Sequence, residues 1–303
     1  MENNGSGSMK PGLKKTFDWL LNVAFSFCVV TVLWLALQVF VLTSFRIPSD
    51  SMEPTLLAGD NIWVEKWSYG ARLFNLAESI KGNGVEIHRL PGMSKVKRGD
   101  VVVFHNPCPR KRERMEMDMM KYYVKRCTAL PGEVFYIRNG RYGIEGFDGC
   151  IGDTLAQDNF RQWIERNGLR DDAPGVRAYP SGTGIGWTVK EFGPFLVPQK
   201  GSVIVMNHRN AFLYGSAIER ETGGILTRNE DGTVSLNDSV ITEYSFCNNY
   251  YFMTGDKVEN SRDSRYWGLV PEEFIVGKVW KIWKSVDKYT DEIRWERFGK
   301  SVE

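Results

Sequence analysis

The chain has 303 residues, 42% of them hydrophobic and 25% charged, which is enough apolar material for a sizeable core and argues against intrinsic disorder. Its formal net charge of +2, with the basic residues spread along the chain, disfavours a nucleic-acid partner. Three histidines without an HExxH pairing and five cysteines without a CxxC give no signal for a zinc protease or a zinc ribbon, so no metal or cofactor is expected.

Residues 1–16 are rich in Gly, Ser and Asn and carry Lys10, Lys14 and Lys15, the composition of a short basic tail. No side chain from residue 19 to 45 is charged. A helix over residues 19–42 spans roughly 36 Å, enough for a hydrocarbon core of about 30 Å, and residues 17–42 are therefore expected to cross a membrane. A cleavable signal peptide is the competing reading, but the run is about twice the usual length of such a segment and ends without a small-x-small site. The lysines precede the helix, whereas the first charges after it are Arg46, Asp50, Glu53 and Asp60. By the positive-inside rule the tail is cytoplasmic and residues 43–303 lie outside the cytoplasm.

Directly after the apolar run comes Ile47-Pro48-Ser49-Asp50-Ser51-Met52-Glu53-Pro54-Thr55-Leu56, with two hydroxyls two residues apart between two prolines. Along an extended strand Ser49 and Ser51 point to one face, so one can attack a carbonyl while the other donates a hydrogen bond to its oxygen. A fully extended link from Leu42 reaches no more than about 30 Å, which keeps Ser51 near the membrane boundary. Gly59-Asp60 then opens a half-buried strand in which Ile62, Val64 and Lys66 alternate with Trp63 and Glu65. Gly99-Asp100 opens a second, whose unbroken Val101-Val102-Val103-Phe104 suggests burial on both faces. Residues 121–128 form a third, closed by Pro131-Gly132, and on it Tyr123, Lys125 and Cys127 share a face, so that Lys125 has neighbours to pack on its stem. Residues 134–137, Asn139-Gly140 and Arg141-Tyr142 read as a hairpin with a type I′ turn.

Residues 140–200 break this rhythm and contain at most one or two helical turns at 160–167, the pattern of an inserted cap packed on the core. Strands are expected again at 201–206, at 248–254 before Gly255-Asp256, and at 274–282, whereas 207–247 is poorly patterned. For residues 284–303 a solvated tail and an amphipathic surface helix are both open. Cys28 lies in the apolar run; Cys108, Cys127, Cys150 and Cys247 permit three full pairings in an oxidising compartment, with free thiols equally open.

Five ordered blocks now make a specific pattern. Ser49-x-Ser51-Met52-x-Pro54-Thr55-Leu56, Gly59-Asp60-x-Ile62-x-Val64-x-Lys66, Arg98-Gly99-Asp100-Val101-Val102-Val103-Phe104, Tyr123-Val124-Lys125-Arg126 and Asn260-Ser261-x-Asp263-Ser264-Arg265-Tyr266-Trp267-Gly268-x-Val270-Pro271 resemble bacterial type I signal peptidases, over roughly residues 17–139 and 200–283. The resemblance implies a nucleophile at Ser51, a general base at Lys125, an oxyanion donor at Ser49 beside the backbone N–H of Ser51, a serine that fixes the lysine amine at Ser261, and a supporting ion pair of Asp263 and Arg265. One departure is that the family's usual Gly-Asp-Asn-Arg is here Gly255-Asp256-Lys257-Val258.

The chemistry is coherent on its own terms. A serine hydroxyl is a weak nucleophile until a base takes its proton, and lysine is a base only when neutral, which burial against apolar atoms favours. With no histidine near these blocks, a Ser-Lys dyad explains them better than a Ser-His-Asp triad. The expected fold is mainly β, an antiparallel β-sheet catalytic core with an inserted cap region, preceded by one N-terminal transmembrane helix. Its parts are the tail (1–16), the helix (17–42), the first core segment (43–139), the cap (140–200) and the second core segment (201–303). The expected function is removal of signal peptides from exported preproteins, with small residues before the cut, at the outer, periplasmic face of the cytoplasmic membrane, where the lipid bilayer is a second partner. A Ser-Lys peptidase dedicated to one pilus or phage protein, and a peptide-binding scaffold without catalysis, are the alternatives.

Overall fold

A computed structural model of the protein describes residues 11–73, 87–108 and 115–302. Helix α1 runs from Pro11 to Phe40, and its segment Lys14–Phe40 is long and apolar enough to cross a membrane. None of that segment is buried in the protein, so its aromatic and aliphatic side chains need an apolar surrounding from elsewhere. The helix begins earlier than residue 17 and stops short of Leu42; the tail expected at residues 1–10 lies outside the described residues. Its last carbonyls do not go unpaired. The Lys66 ammonium donates to the carbonyls of Gln38 (2.7 Å) and Val39 (3.3 Å), and the Lys66 N–H donates to that of Val41 (2.8 Å).

Only Val41 separates α1 from β1 (Leu42–Arg46), so the link into Ser51 is itself a strand, which its β-branched and aromatic residues Thr43 and Phe45 support. The remaining principal strands are β2 (Asp60–Glu65), β3 (Val101–Asn106), β4 (Asp118–Ala129), β5 (Val134–Arg138), β6 (Arg141–Ile144), β7 (Phe192–Leu196), β8 (Tyr250–Thr254), β9 (Val270–Pro271) and β10 (Ile275–Ser285). Seven of them form one antiparallel sheet in the order β1-β2-β10-β3-β4-β8-β9. β3 lies inside this sheet with all six residues buried, as its unbroken apolar run implies, while β2 alternates buried and half-buried positions.

A second sheet, β6-β5-β7, contains the expected hairpin, and Asn139 and Gly140 both take positive φ (50° and 76°), as a type I′ turn requires. Within residues 140–200, the one or two helical turns anticipated at 160–167 are the end of a longer helix, α2 (Thr154–Arg166), whose first turn is capped by the Asp153 carboxylate. The β7 strand of this region pairs with β5, and Phe192 and Phe195 meet Phe135 and Phe252. The two sheets thus share one aromatic core, closed by a Phe135–Phe252 stack with centroids 4.2 Å apart.

The poorly patterned stretch 207–247 contains α3 (His208–Thr222), started by an Asn207 side-chain cap and ended by Gly223 with φ 66°. The C-terminal residues are neither a solvated tail nor an amphipathic helix. They run back beside β10, with Ile282 N–H bonded to the Lys300 carbonyl and Val302 N–H to that of Trp280. Arg297 then pairs with Asp60 at 2.6 and 3.0 Å, the carboxylate being fully buried.

Candidate active site

Ser51 sits in a turn held from below by apolar anchors. Ile47, Met52 and Leu56 are buried in the smaller hydrophobic cluster, and backbone bonds from Glu53 to Asp50 and from Leu56 to Met52 close the turn. Ser49 and Ser51 do face the same way, but a bend followed by a turn brings them together where an extended strand was expected; their hydroxyl oxygens are 3.5 Å apart. Pro48 on one side and Pro54 on the other leave the chain no room to continue as a ladder strand.

Lys125 comes from the middle of β4, opposite Val102 of β3, and only 2% of it is exposed. Its Nζ lies 2.5 Å from Ser51 Oγ. Burial is the main reason its ammonium is held well below the ordinary lysine value, at about 8. Asp263, Asp256 and Asp50 pull the other way and Arg265 adds to the lowering. The Tyr123 ring, 5.7 Å from Nζ, packs along the same face, as the strand alternation predicted.

The loop after β8 closes the site. Gly255 is forced by space: a Cβ there would stand 2.1 Å from Ser261 Oγ and 2.5 Å from the Ser51 carbonyl oxygen. Asp263 and Arg265, both fully buried, form a two-pronged pair (Nε–Oδ1 and Nη2–Oδ2, each 2.8 Å). Burial works against the Asp263 carboxylate, yet the Arg265 guanidinium holds its pKa below the ordinary range. The pair grips the loop: Asp263 accepts from Gly255 N–H, and Arg265 donates to the carbonyls of Val258 and Ser261. Ser261 is buried at the site beside Asp263, whose carboxylate it helps to keep charged, while the Lys125 amine that the resemblance assigns to it is directed at Ser51.

Two braces were not anticipated. Arg126, next to Lys125 on β4, donates to both oxygens of Asp256 at 2.8 Å, to Thr55 Oγ1 and to the Gly99 carbonyl, tying the nucleophile's turn to the Gly255 loop. Lys257, at the point of departure from the family's usual tetrapeptide, reaches Asp50 (2.5 Å) and Glu53 (2.9 Å). The neighbouring basic residues in the Tyr123-Val124-Lys125-Arg126 block were the only available signal for the first brace; nothing local signalled the second.

The other titratable candidates are occupied elsewhere. His105 is bonded to Arg72 and to the Asp118 carbonyl, with burial and Arg72 lowering it to about 3, and His208 is bonded to the Asn229 carbonyl. Of the cysteines open to pairing, Cys127, Cys150 and Cys247 carry free thiols, as does Cys28. Among the described residues no group of His, Cys, Asp or Glu is placed to hold a metal ion. The arrangement therefore offers a hydroxyl against a desolvated amine, with a second hydroxyl alongside, which suits nucleophilic attack on a carbonyl.

Residues 18–284 match the family model described as signal peptidase, peptidase S26. The chain is 29% identical to a protein named signal peptidase I from Buchnera aphidicola subsp. Acyrthosiphon pisum, covering 99% of this chain and 87% of the relative. It is 30% identical to its counterpart from Buchnera aphidicola subsp. Schizaphis graminum (86% and 75% covered) and 27% identical to signal peptidase I of Helicobacter pylori strain J99 (93% and 94% covered).

Proposed function

Because the chain belongs to the signal peptidase family, peptidase S26, we propose that it removes signal peptides from exported preproteins with Ser51 as nucleophile and Lys125 as general base. It is a membrane-anchored serine endopeptidase, α1 supplying the anchor. The observation that carries the mechanism is the 2.5 Å contact between Lys125 Nζ and Ser51 Oγ, made by an amine almost wholly out of water.

In its neutral form Lys125 accepts the Ser51 proton as the oxygen attacks the carbonyl carbon before the cut. The tetrahedral oxyanion is met by the Ser49 hydroxyl and the Ser51 N–H. The C–N bond then breaks, the lysine proton goes to the departing amine, and an ester to Ser51 remains. A water gives a proton to Lys125 as its oxygen attacks the ester carbon; the C–O bond to Ser51 then breaks, and Lys125 returns the proton to Ser51 Oγ. Ser261, buried at the site, is the partner that orients the amine once Ser51 Oγ has given up its proton and bonded to the substrate, and the Asp263–Arg265 pair keeps that loop in place.

The substrate lies extended between the chain leading into Ser51 and β4, adding as a strand so that main-chain bonds supply recognition, with small side chains preferred at the first and third positions before the cut. Lys10, Lys14 and Lys15 at the N-terminal end of the apolar stretch support an orientation with the catalytic domain on the outer face of the cytoplasmic membrane, in contact with the lipid bilayer. Incubating a panel of signal-peptide-bearing precursors with the purified protein and with its Ser51→Ala variant tests this reading. Cleavage of many precursors by the wild type alone is expected; cleavage of a single pilus or phage precursor, or of none, would replace the reading with a dedicated peptidase or a scaffold.

A further inference from the structure

Beside the Ser51–Lys125 pair stands a second lysine with no part in the chemistry above. Lys257 Nζ bonds to Asp50 Oδ2 at 2.5 Å and Glu53 Oε2 at 2.9 Å, and the Lys257 N–H donates to the Ser51 carbonyl at 3.2 Å. Asn260 Nδ2 adds contacts of 2.9 and 3.0 Å to the same Asp50 carboxylate. Asp50 lies between Ser49 and Ser51, so these contacts grip the nucleophile's turn from the loop that carries Ser261 and Asp263. The three charged side chains are 27–34% exposed, and ion pairs so exposed contribute little to stability. Nor is Lys257 a rival base, because its carboxylate partners raise its pKa above the ordinary lysine value.

Their meaning lies in the charge balance around Lys125. The groups acting on its amine are Asp263 and Arg265 in the loop after Ser261, Asp256 beside Gly255, and Asp50 on the nucleophile's turn. Each of these carboxylates has a cation of its own: Asp263 has Arg265, Asp256 has Arg126, and Asp50 has Lys257. We propose that Lys257 is a positioning residue, which fixes the turn between Ser49 and Ser51 through Asp50 and Glu53 and neutralises Asp50 so that it does not hold the Lys125 amine in its charged form. The proposal rests on the peptidase reading above. An unpaired carboxylate near an amine favours the ammonium, whereas an unpaired ammonium disfavours it.

The test is the pH dependence of kcat/KM for the full-length enzyme in detergent, with a signal-peptide-bearing precursor as substrate. Lys257→Met is expected to lower kcat roughly tenfold and to move the acid limb upward by about half a pH unit. The double variant Asp50→Asn with Glu53→Gln leaves Lys257 unpaired and is expected to move the limb downward by a similar amount, so the idea stays testable should Lys257→Met fold poorly. Combining all three substitutions is expected to return the limb to its wild-type position while the loss in kcat persists. Limbs that stay put, or that move in the same direction in the first two variants, overturn the proposal. Precursor cleavage surviving in Ser51→Ala would instead sink the peptidase reading on which it rests.

Discussion

The amine of Lys125 and the hydroxyl of Ser51 meet at 2.5 Å although 74 residues separate them in the chain, and the meeting point is closed to water on the lysine side. A cation placed there loses hydration that no neighbour fully restores, which is why Lys125 titrates at about 8.

The first expected outcome concerns activity and pH. Only neutral Lys125 can accept the Ser51 proton, so kcat/KM should rise as pH increases through about 8, falling about tenfold per unit below it. Lys125→Arg should not restore turnover, because a guanidinium stays protonated. A pH-rate profile of the wild type checks this; a limb near about 6.5 that disappears when a histidine is replaced would assign the base to an imidazole.

The same amine should weigh on stability. Its folded pKa of about 8 lies below the ordinary lysine value of 10.5, so between these pH values the unfolded chain keeps a proton that the native state has released, and stability rises with pH across that window. Lys125→Met should therefore be more stable than the wild type at pH 7, by up to about 3 kcal/mol, with the gap closing near pH 10.5. Denaturant unfolding of both proteins at pH 7 and pH 10 measures it, and a gap independent of pH would mean that the amine is solvated.

Gly255→Ala should be among the most damaging single-methyl changes. The added carbon would meet the Ser51 carbonyl oxygen at 2.5 Å, and a backbone atom cannot rotate away. Displacing the nucleophile by even about 1 Å is expected to cost roughly 10²-fold in kcat/KM. Steady-state kinetics alongside circular dichroism would separate this from global unfolding; wild-type rates would show that the loop yields freely.

Arg297→Met removes the partner of a fully buried carboxylate, Asp60, whose Oδ2 also accepts the Leu57 N–H at the end of the nucleophile's turn. The expected loss is about 3–5 kcal/mol in urea unfolding, because the charge is left buried and unpaired. Unfolding at the wild-type urea concentration would show that water reaches Asp60.

Local pattern was enough for much of the sheet. Alternation in Ile62-Trp63-Val64, the unbroken valines of 101–103 and the Asn139-Gly140 turn each carry their structure within a few residues. The block resemblance picked out Ser51 and Lys125 before any geometry placed them together. What escaped was either weakly apolar or long-range. The helix His208–Thr222 has its caps in the sequence, but half of its buried face is made of the small residues Ala211, Gly215 and Ala217, which leaves a weak apolar pattern. Lys257 meets Asp50 across 207 positions and Arg297 meets Asp60 across 237, contacts that have no period to read. The Ser261 hydroxyl shows the opposite limit: a motif can name a residue while leaving open which way its oxygen points.

Lys66 gives the molecule its posture. By closing the last carbonyls of α1 from the end of β2, with only Val41 between helix and sheet, it leaves no slack at the junction, so a tilt of the membrane helix is transmitted to the plane of the strands. Ser51 is thereby joined to the end of α1 through a paired strand and a hydrogen-bonded turn, so the nucleophile follows the helix as one piece with the sheet.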